Sequence, residues 1–414
     1  MRMKMRWVAI CLLIALLFSA CGPPQAEVDG MATQVAASIL STQSAAGPAP
    51  TSTFTPVPPT TFTLQADGSG DYVTLAEAVR GVPEGATLIF GPGVYRLTGR
   101  LHVRKSLHLM GAGMGQTEIV SAAEGYVIRF SGDGPFSAED IAFRHAGEAA
   151  ASVVVVRGGE AAFARCRFTG ATVGGERDGV GLWLEGKTDG SVQDCVSDEN
   201  GNVGLLVGGR AQPTLEGNRF MNNTAVGIVY EGEAGGVARR NQCSGGMAGI
   251  SLSGQADPTL EENQCNDNDV YGIFYMDETG GQAIRNECLR NEMGILVVDR
   301  ARPTLEGNVC SENEDSGIGY QDNASGSASE NECSRNGYHG IYVYDHAWPT
   351  LKGNVCADNE DGGISYFDNA TGLVSENECV RNGKYGIAVQ ITANPTLMGN
   401  DCHDNGLGDI EHTY

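Results

Sequence analysis

One short phrase recurs along the chain: Asn-x-Cys-x-x-Asn, a few polar residues, then Gly-Ile. A clear copy is NECSRNGYHGIYVYD, from Asn331 to Asp345. Its cysteine falls at Cys243, Cys265, Cys288, Cys310, Cys333, Cys356, Cys379 and Cys402, so the step is always 22 or 23 residues. Phe220 fills the slot one step earlier, and Cys195 and Cys166 continue the column after longer insertions. A fixed step of this size marks a solenoid, in which each coil buries its core against its neighbours. The 414 residues are long for one compact core, but a solenoid core grows in one dimension.

Within one repeat, Gly340-Ile341-Tyr342-Val343-Tyr344 is β-branched or aromatic and reads as a strand. Asp345-His346-Ala347 reads as a turn, Thr350-Leu351-Lys352 as a second strand and Val355-Cys356-Ala357 as a third. Asn359 to Gly362 closes the coil. Three strands per coil point to an all-β, single-stranded parallel β-helix; the leucine ladder of a leucine-rich repeat is absent. Asn suits such turns because it tolerates left-handed backbone and bonds to main-chain groups.

A second period spans two coils. Pro213, Pro258, Pro303, Pro349 and Pro395 alternate with Gly236, Gly281, Gly326 and Gly372. Leu215, Leu260, Leu305, Leu351 and Leu397 alternate with Ala238, Ala283, Ala328 and Val374. Tyr230, Tyr275, Tyr320 and Tyr366 alternate with Val207, Leu252, Val297, Val343 and Val389. A coil with Tyr has Ala or Val where its neighbour has Leu, as a constant core volume requires. The tyrosines are therefore expected to point inward; the alternative is an outer sugar-stacking platform.

The ends differ in composition. Residues 1–21 have a basic start (Arg2, Lys4, Arg6), an apolar run from Trp7 to Phe18, and Leu17-Phe18-Ser19-Ala20-Cys21. This resembles a bacterial lipoprotein signal with lipidation at Cys21, although Phe18 departs from the usual aliphatic residue. The apolar run is too short for a membrane span. Residues 22–62, rich in Ser, Thr, Pro and Ala, read as a disordered linker, and residues 63–414 as the β-helix domain. The formal net charge of -24, from 51 acidic and 27 basic residues, argues against nucleic acid as a partner. An extracytoplasmic, membrane-anchored lipoprotein at the cell surface or in the periplasm is expected.

The stretch DGSGDYVTLAEAVRGVPEGATLIFGPGVYRLTGRLHV, with a short capping helix from Thr74 to Val79, resembles the amino-terminal part of pectinesterases and other pectin-lyase-like proteins. The repeats resemble the sugar-binding and sugar-hydrolysing β-helix group that includes NosD-like periplasmic proteins. The resemblance covers about residues 63–410 and implies a right-handed β-helix. It does not extend to catalysis. Of the pectinesterase Gly-x-Tyr-x-Glu signature, Gly93 and Tyr95 are present but Leu97 replaces the Glu, and the remaining pectinesterase motifs are missing. The polygalacturonase motifs are missing too; Tyr338-His339-Gly340 only approaches Gly-His-Gly.

Among the side chains that can do chemistry, the column cysteines read as free core thiols rather than disulfides, since parallel in-register side chains are poorly aimed at each other. The column Asn218, Asn241, Asn263, Asn286, Asn308, Asn331, Asn354, Asn377 and Asn400 reads as a stacked amide ladder. The candidate site is an aspartate column: Asp277, Asp299, Asp322, Asp345 and Asp368, each five residues after the Gly of Gly-Ile. Phe274, Met276, Tyr342, Tyr344 and Phe367 stand beside it at outward positions. Carboxylates beside exposed rings fit a carbohydrate or another surface polymer, bound by stacking and by hydroxyl or calcium contacts, along a groove about 10 Å long. The alternative is that these aspartates only cap turn backbone. Binding without catalysis is the leading expectation. One rival is a polysaccharide lyase, hydrolase or epimerase acting on an acidic glycan, with Asp345, His346, Asp322 and Asp368 as weak catalytic candidates. The other is a structural or protein-interaction scaffold. No cofactor is expected beyond possible calcium, for which a second acidic strip offers oxygens: Asp267, Asp269, Glu312, Glu314, Asp315, Asp358, Glu360 and Asp361. Its alternative is a solvated face.

Overall fold

Strands of three to seven residues stack in parallel, each coil adding one strand to each face, in a computed structural model that describes residues 60–175 and 178–413. The expected lipoprotein signal, Cys21 and nearly all of the linker lie outside the described residues. One face is a 15-stranded sheet and the second a 14-stranded sheet. The third consists of a seven-stranded and a four-stranded sheet, joined by single-residue bridges through Gln264, Glu287 and Val309. This is the expected three-stranded coil. In the repeat read above, strands occupy Ile341–Val343, Thr350–Lys352 and Val355–Ala357.

The domain starts slightly earlier than its composition suggests. A strand at Thr61–Leu64 pairs with Ala86–Phe90, so the last two residues assigned to the linker belong to the sheet. The capping helix is Leu75–Gly81, with Thr74 as its N-cap: Glu77 N–H donates to Thr74 Oγ1 at 3.2 Å. Leu75, Ala78 and Val79 share one face at i, i+3, i+4 spacing, and that face is buried in the core.

Register puts like on like. Ile273, Ile295, Ile318, Ile341, Ile364 and Ile387 are successive partners in the 14-stranded sheet. Two residues on, Tyr275, Val297, Tyr320, Val343, Tyr366 and Val389 form the next inward column. Leu260, Ala283, Leu305, Ala328, Leu351 and Val374 face them from the 15-stranded sheet. All four alternating tyrosines are fully buried, which removes the alternative of an outer platform. The glycine alternation has a backbone cause. Gly326 has φ +99°, and a Cβ there would lie 2.2 Å from the Pro303 carbonyl oxygen.

The turns are held by side-chain amides. Along the expected ladder from Asn218 to Asn400, each Nδ2 donates to the Oδ1 of the next coil at 2.8–3.0 Å. The same Nδ2 donates to a main-chain carbonyl, as Asn331 does to Leu305 O at 3.1 Å. The second Asn of the repeated phrase builds another ladder, through Asn268, Asn291, Asn313, Asn336, Asn359, Asn382 and Asn405. The ten column cysteines are free thiols, all buried except the half-buried Cys402, and those from Cys265 to Cys402 run between the two ladders. Burial pushes the Cys243 and Cys288 thiols up, so they stay protonated. The Gly of Gly-Ile makes room for this column: a Cβ on Gly272 or Gly340 would sit 2.8 Å from the Cβ of Cys288 or Cys356.

Changing Ala328 to Leu adds volume beside Leu305 and Leu351, so it should destabilise by about 1–3 kcal/mol in chemical denaturation. Replacing Tyr320 with Val in the same chain should recover most of that loss. A double variant no more stable than the single one would refute volume compensation between the columns.

Candidate carbohydrate-binding site

The five aspartates end their strands in left-handed backbone, with φ from +51° to +59°. Asp tolerates this conformation better than most residues, because its short carboxylate reaches nearby amides. The first three do so. Asp277 Oδ2 accepts from Gly254 N–H at 2.8 Å, Asp299 Oδ2 from Asp277 N–H at 3.0 Å, and Asp322 Oδ2 from Asp299 N–H at 3.3 Å. Burial raises the Asp299 carboxyl above the usual carboxylate range; the Asp277 amide opposes this, and the flanking carboxylates add to it.

Further along, the column changes character. Among the described residues, no hydrogen bond or ion pair reaches the carboxylate of Asp345 or Asp368. The Asp368 N–H donates instead to Gln390 Oε1 at 2.8 Å. The column thus splits into a capping half and an open half, where the sequence suggested one uniform groove.

The neighbours of the column also differ from expectation. Arg300 pairs with Glu278 at 2.8 Å rather than with an aspartate of the column. His346 is exposed, and no bond joins it to Asp345 among the described residues, so the expected carboxylate–imidazole pair is not formed. Three of the five expected surface groups are buried. Phe274 stacks on Tyr271 at 4.5 Å, and Met276 is 5% exposed. The Tyr342 ring lies across Gly319 of the preceding coil, where its hydroxyl oxygen accepts from Gln321 Nε2 at 2.6 Å. A missing side chain at Gly319 lets that ring fold down.

Tyr344 and Phe367 remain half-buried on consecutive coils, their rings 5.5 Å apart and inclined by 36°. His339 extends this row, 5.6 Å from Phe367, and the exposed Tyr338 follows at 6.0 Å from His339. The sequence reading passed over Tyr338 and His339 as a failed catalytic motif. The available signal was an aromatic pair just before Gly340, one coil below Gly362 and close to Phe367. Trp348, just past the turn that follows Tyr344, is another exposed ring that reading left out.

His339 has a defined state. Burial drives its pKa down to about 4, Asp361 opposes this and Lys384 adds to it. Its Nδ1 accepts from Gly362 N–H at 3.3 Å and faces Ser365 Oγ at 3.2 Å. With Nδ1 accepting, the single ring proton of the neutral form sits on Nε2, which makes His339 a hydrogen-bond donor beside Phe367.

Four of the eight carboxylates of the second acidic strip are paired with a cation. Arg290 bonds Asp267 at 2.7 Å, Arg335 bonds Glu312 at 3.1 Å, Arg381 bonds Asp358 at 2.7 Å and Lys384 bonds Asp361 at 2.6 Å. Each of these four carboxylates has its cation one coil further on. The Asp315 carboxylate accepts from Ser316 Oγ at 2.7 Å, and burial raises its pKa. Among the described residues, no group of three or more His, Cys, Asp or Glu is placed to hold a metal ion.

The profile of the family described as right handed beta helix region matches residues 151–310 and 294–412. The chain belongs to this family. Solved structures similar to it include the Dettilon tailspike protein, at 15% identity and TM-score 0.47 over 81% of this chain and 66% of the tailspike, under two thirds of its length. The A-module of a mannuronan C-5 epimerase from Azotobacter vinelandii is similar at 17% identity and TM-score 0.38, over 82% of this chain and 92% of that one. Carrot pectin methylesterase is similar at 17% identity and TM-score 0.34, over 60% and 82%. These likenesses are remote, and the family assignment rests on the profile. No curated protein matches the chain.

A histidine whose folded pKa lies below its unfolded value of about 6.5 stabilises the fold fully above that value and loses the contribution as pH falls toward 4. Lowering the pH from about 6.5 to 4 should therefore cost this β-helix up to about 3 kcal/mol through His339. Changing His339 to Gln should flatten that limb of the stability curve. An unchanged limb would mean that the imidazole titrates normally.

Proposed function

We propose that this β-helix is a non-catalytic binding module for carbohydrate, and that the site is the row Tyr338, His339, Phe367 and Tyr344 with the open carboxylates of Asp345 and Asp368. The observation that carries this reading is the row itself: rings 5.5–6.0 Å apart across two consecutive coils, which also carry carboxylates with no protein partner among the described residues. Ring faces cover the apolar faces of sugars, and carboxylates accept from sugar hydroxyls. The His339 Nε2–H supplies a donor. The rigid coil spacing presents these groups preformed, which lowers the ordering cost of binding.

The rival reading, a lyase, hydrolase or epimerase working through Asp345 and His346, predicts product release from a bound glycan, which a turnover assay on the same oligosaccharides would detect. We further propose that the chain is exported and held at a membrane by a lipid on Cys21, with the Ser/Thr/Pro-rich segment as spacer. The composition of residues 1–62 supports this. Mass spectrometry of the mature protein should find a diacylglyceryl Cys21 at its N-terminus; a mature chain that starts elsewhere would refute the anchor.

Changing Phe367 to Ala should weaken oligosaccharide binding about 10-fold or more in calorimetric titration, because a stacking ring contributes on the order of 1–2 kcal/mol. Changing Asp345 to Asn should weaken it less and leave stability unaltered, since Asn accepts the same left-handed turn. Binding that is indifferent to both changes would remove the site from these coils.

A further inference from the structure

The charge around the ring row narrows the class of sugar it can take. Asp345 and Asp368 hold the same turn position on consecutive coils, whose backbones lie about 4.8 Å apart, and the Asn369 N–H donates to the Asp345 carbonyl at 2.9 Å. Neither has a protein partner among the described residues. Asp322 continues the column one coil earlier, with one carboxylate oxygen occupied by the Asp299 amide. The cations nearby do not offset this charge. Lys384 is committed to Asp361 at 2.6 Å, Arg300 to Glu278 at 2.8 Å, and His339 is neutral above about pH 4. His346 is exposed on the solvent side of the turn. Like charges on consecutive coils repel each other, and a ligand that brings positive charge to both gains from both.

Building on the carbohydrate-binding reading above, we infer that the ligand is a polymer of amino sugars with free ammonium groups, not a neutral or uronic-acid glycan. An ammonium has three donors and no acceptor. Placed between Asp345 and Asp368 it makes charge-assisted bonds to both, which are shorter and stronger than bonds from a hydroxyl. The same sugar lies against Phe367 and Tyr344, whose negative ring faces favour a nearby cation. A uronate would bring a third negative charge to the same place, which repulsion disfavours. Half of the acidic strip in the closing turns is paired with cations, whereas Asp345 and Asp368 have no such pair among the described residues and lie on the coils of the ring row.

The test uses oligomers that share one β-1,4-linked backbone and differ in one substituent: glucosamine, N-acetylglucosamine, glucose and glucuronate. Binding to the intact domain is measured by calorimetry at about pH 6, where carboxylates are ionised and the sugar amine is protonated. The expected result is glucosamine oligomers binding at least 10-fold tighter than glucose oligomers, with the advantage shrinking as salt rises. The D345N/D368N double variant should lose that advantage, binding glucosamine and glucose oligomers within about twofold of each other. Its fold is checked by an unchanged thermal transition. Equal binding of glucose and glucosamine oligomers overturns the amino-sugar inference and leaves the carbohydrate reading standing. Tightest binding of the glucuronate oligomer overturns it as well. An ammonium advantage that survives in D345N/D368N assigns it to other carboxylates and also overturns the inference. Failure of every oligomer to bind overturns the carbohydrate reading itself.

Discussion

The stacked asparagine amide is the interaction on which the rest of this molecule depends. A coil of three short strands must bend sharply twice within the repeated phrase, and each bend exposes main-chain groups with no strand partner. Buried and unpaired, each would cost on the order of 1–3 kcal/mol. The Asn side chain answers this with one group. In Asn331, the Nδ2 takes the Leu305 carbonyl at 3.1 Å and the Asn354 Oδ1 at 2.8 Å, while its N–H donates to that same Oδ1 at 3.0 Å. Every coil thereby hands its neighbour a donor and an acceptor at fixed height. Two such ladders flank the thiol column and lock the register of the coils from Asn218 onward.

Locked register has consequences for packing and for function. Inward, it places Tyr320 between Val297 and Val343, and Ala328 between Leu305 and Leu351, so volume can be traded between columns without opening a void. Outward, it turns every turn position into a column. A column of like charges would push the coils apart, and the molecule handles this in two ways. In the closing turns, acid and base alternate. In the aspartate column, the carboxylate bends back to a main-chain N–H, as at Asp299 and Asp277. Asp345 and Asp368 follow neither pattern, and they stand beside the ring row. This departure from the first three aspartates of the column is why the proposed site is placed there.

Much of the architecture was legible in the residues. The 22- or 23-residue step gave the coil, the Tyr/Leu/Ala alternation gave the inward face, and the stacking of Asn218 to Asn400 gave one ladder. The second ladder was within reach, because Asn268 and Asn336 recur as strictly as Asn263 and Asn331. The site was less legible for a physical reason. A period states which residues share a column, but not which way each side chain turns. Tyr342 and Tyr344 differ by one strand step and look alike in sequence. One ring folds over Gly319 and is lost to the surface, while the other stays beside Phe367. Asp322 and Asp345 are likewise equivalent in period, yet only the first bonds to a turn amide. His339 escaped because its partners, Gly362, Ser365 and Phe367, lie on the next coil.

The central claim is that sugar is held where Phe367, Tyr344 and His339 meet the open carboxylates of Asp345 and Asp368. The most direct measurement is a crystal structure of the domain with an oligosaccharide that it binds in solution. The account predicts a sugar ring against Phe367 at about 3.5–4.0 Å between carbon atoms, with polar groups directed to Asp345, Asp368 or His339 Nε2. A sugar seated on another face, with Phe367 free of contact, would contradict it.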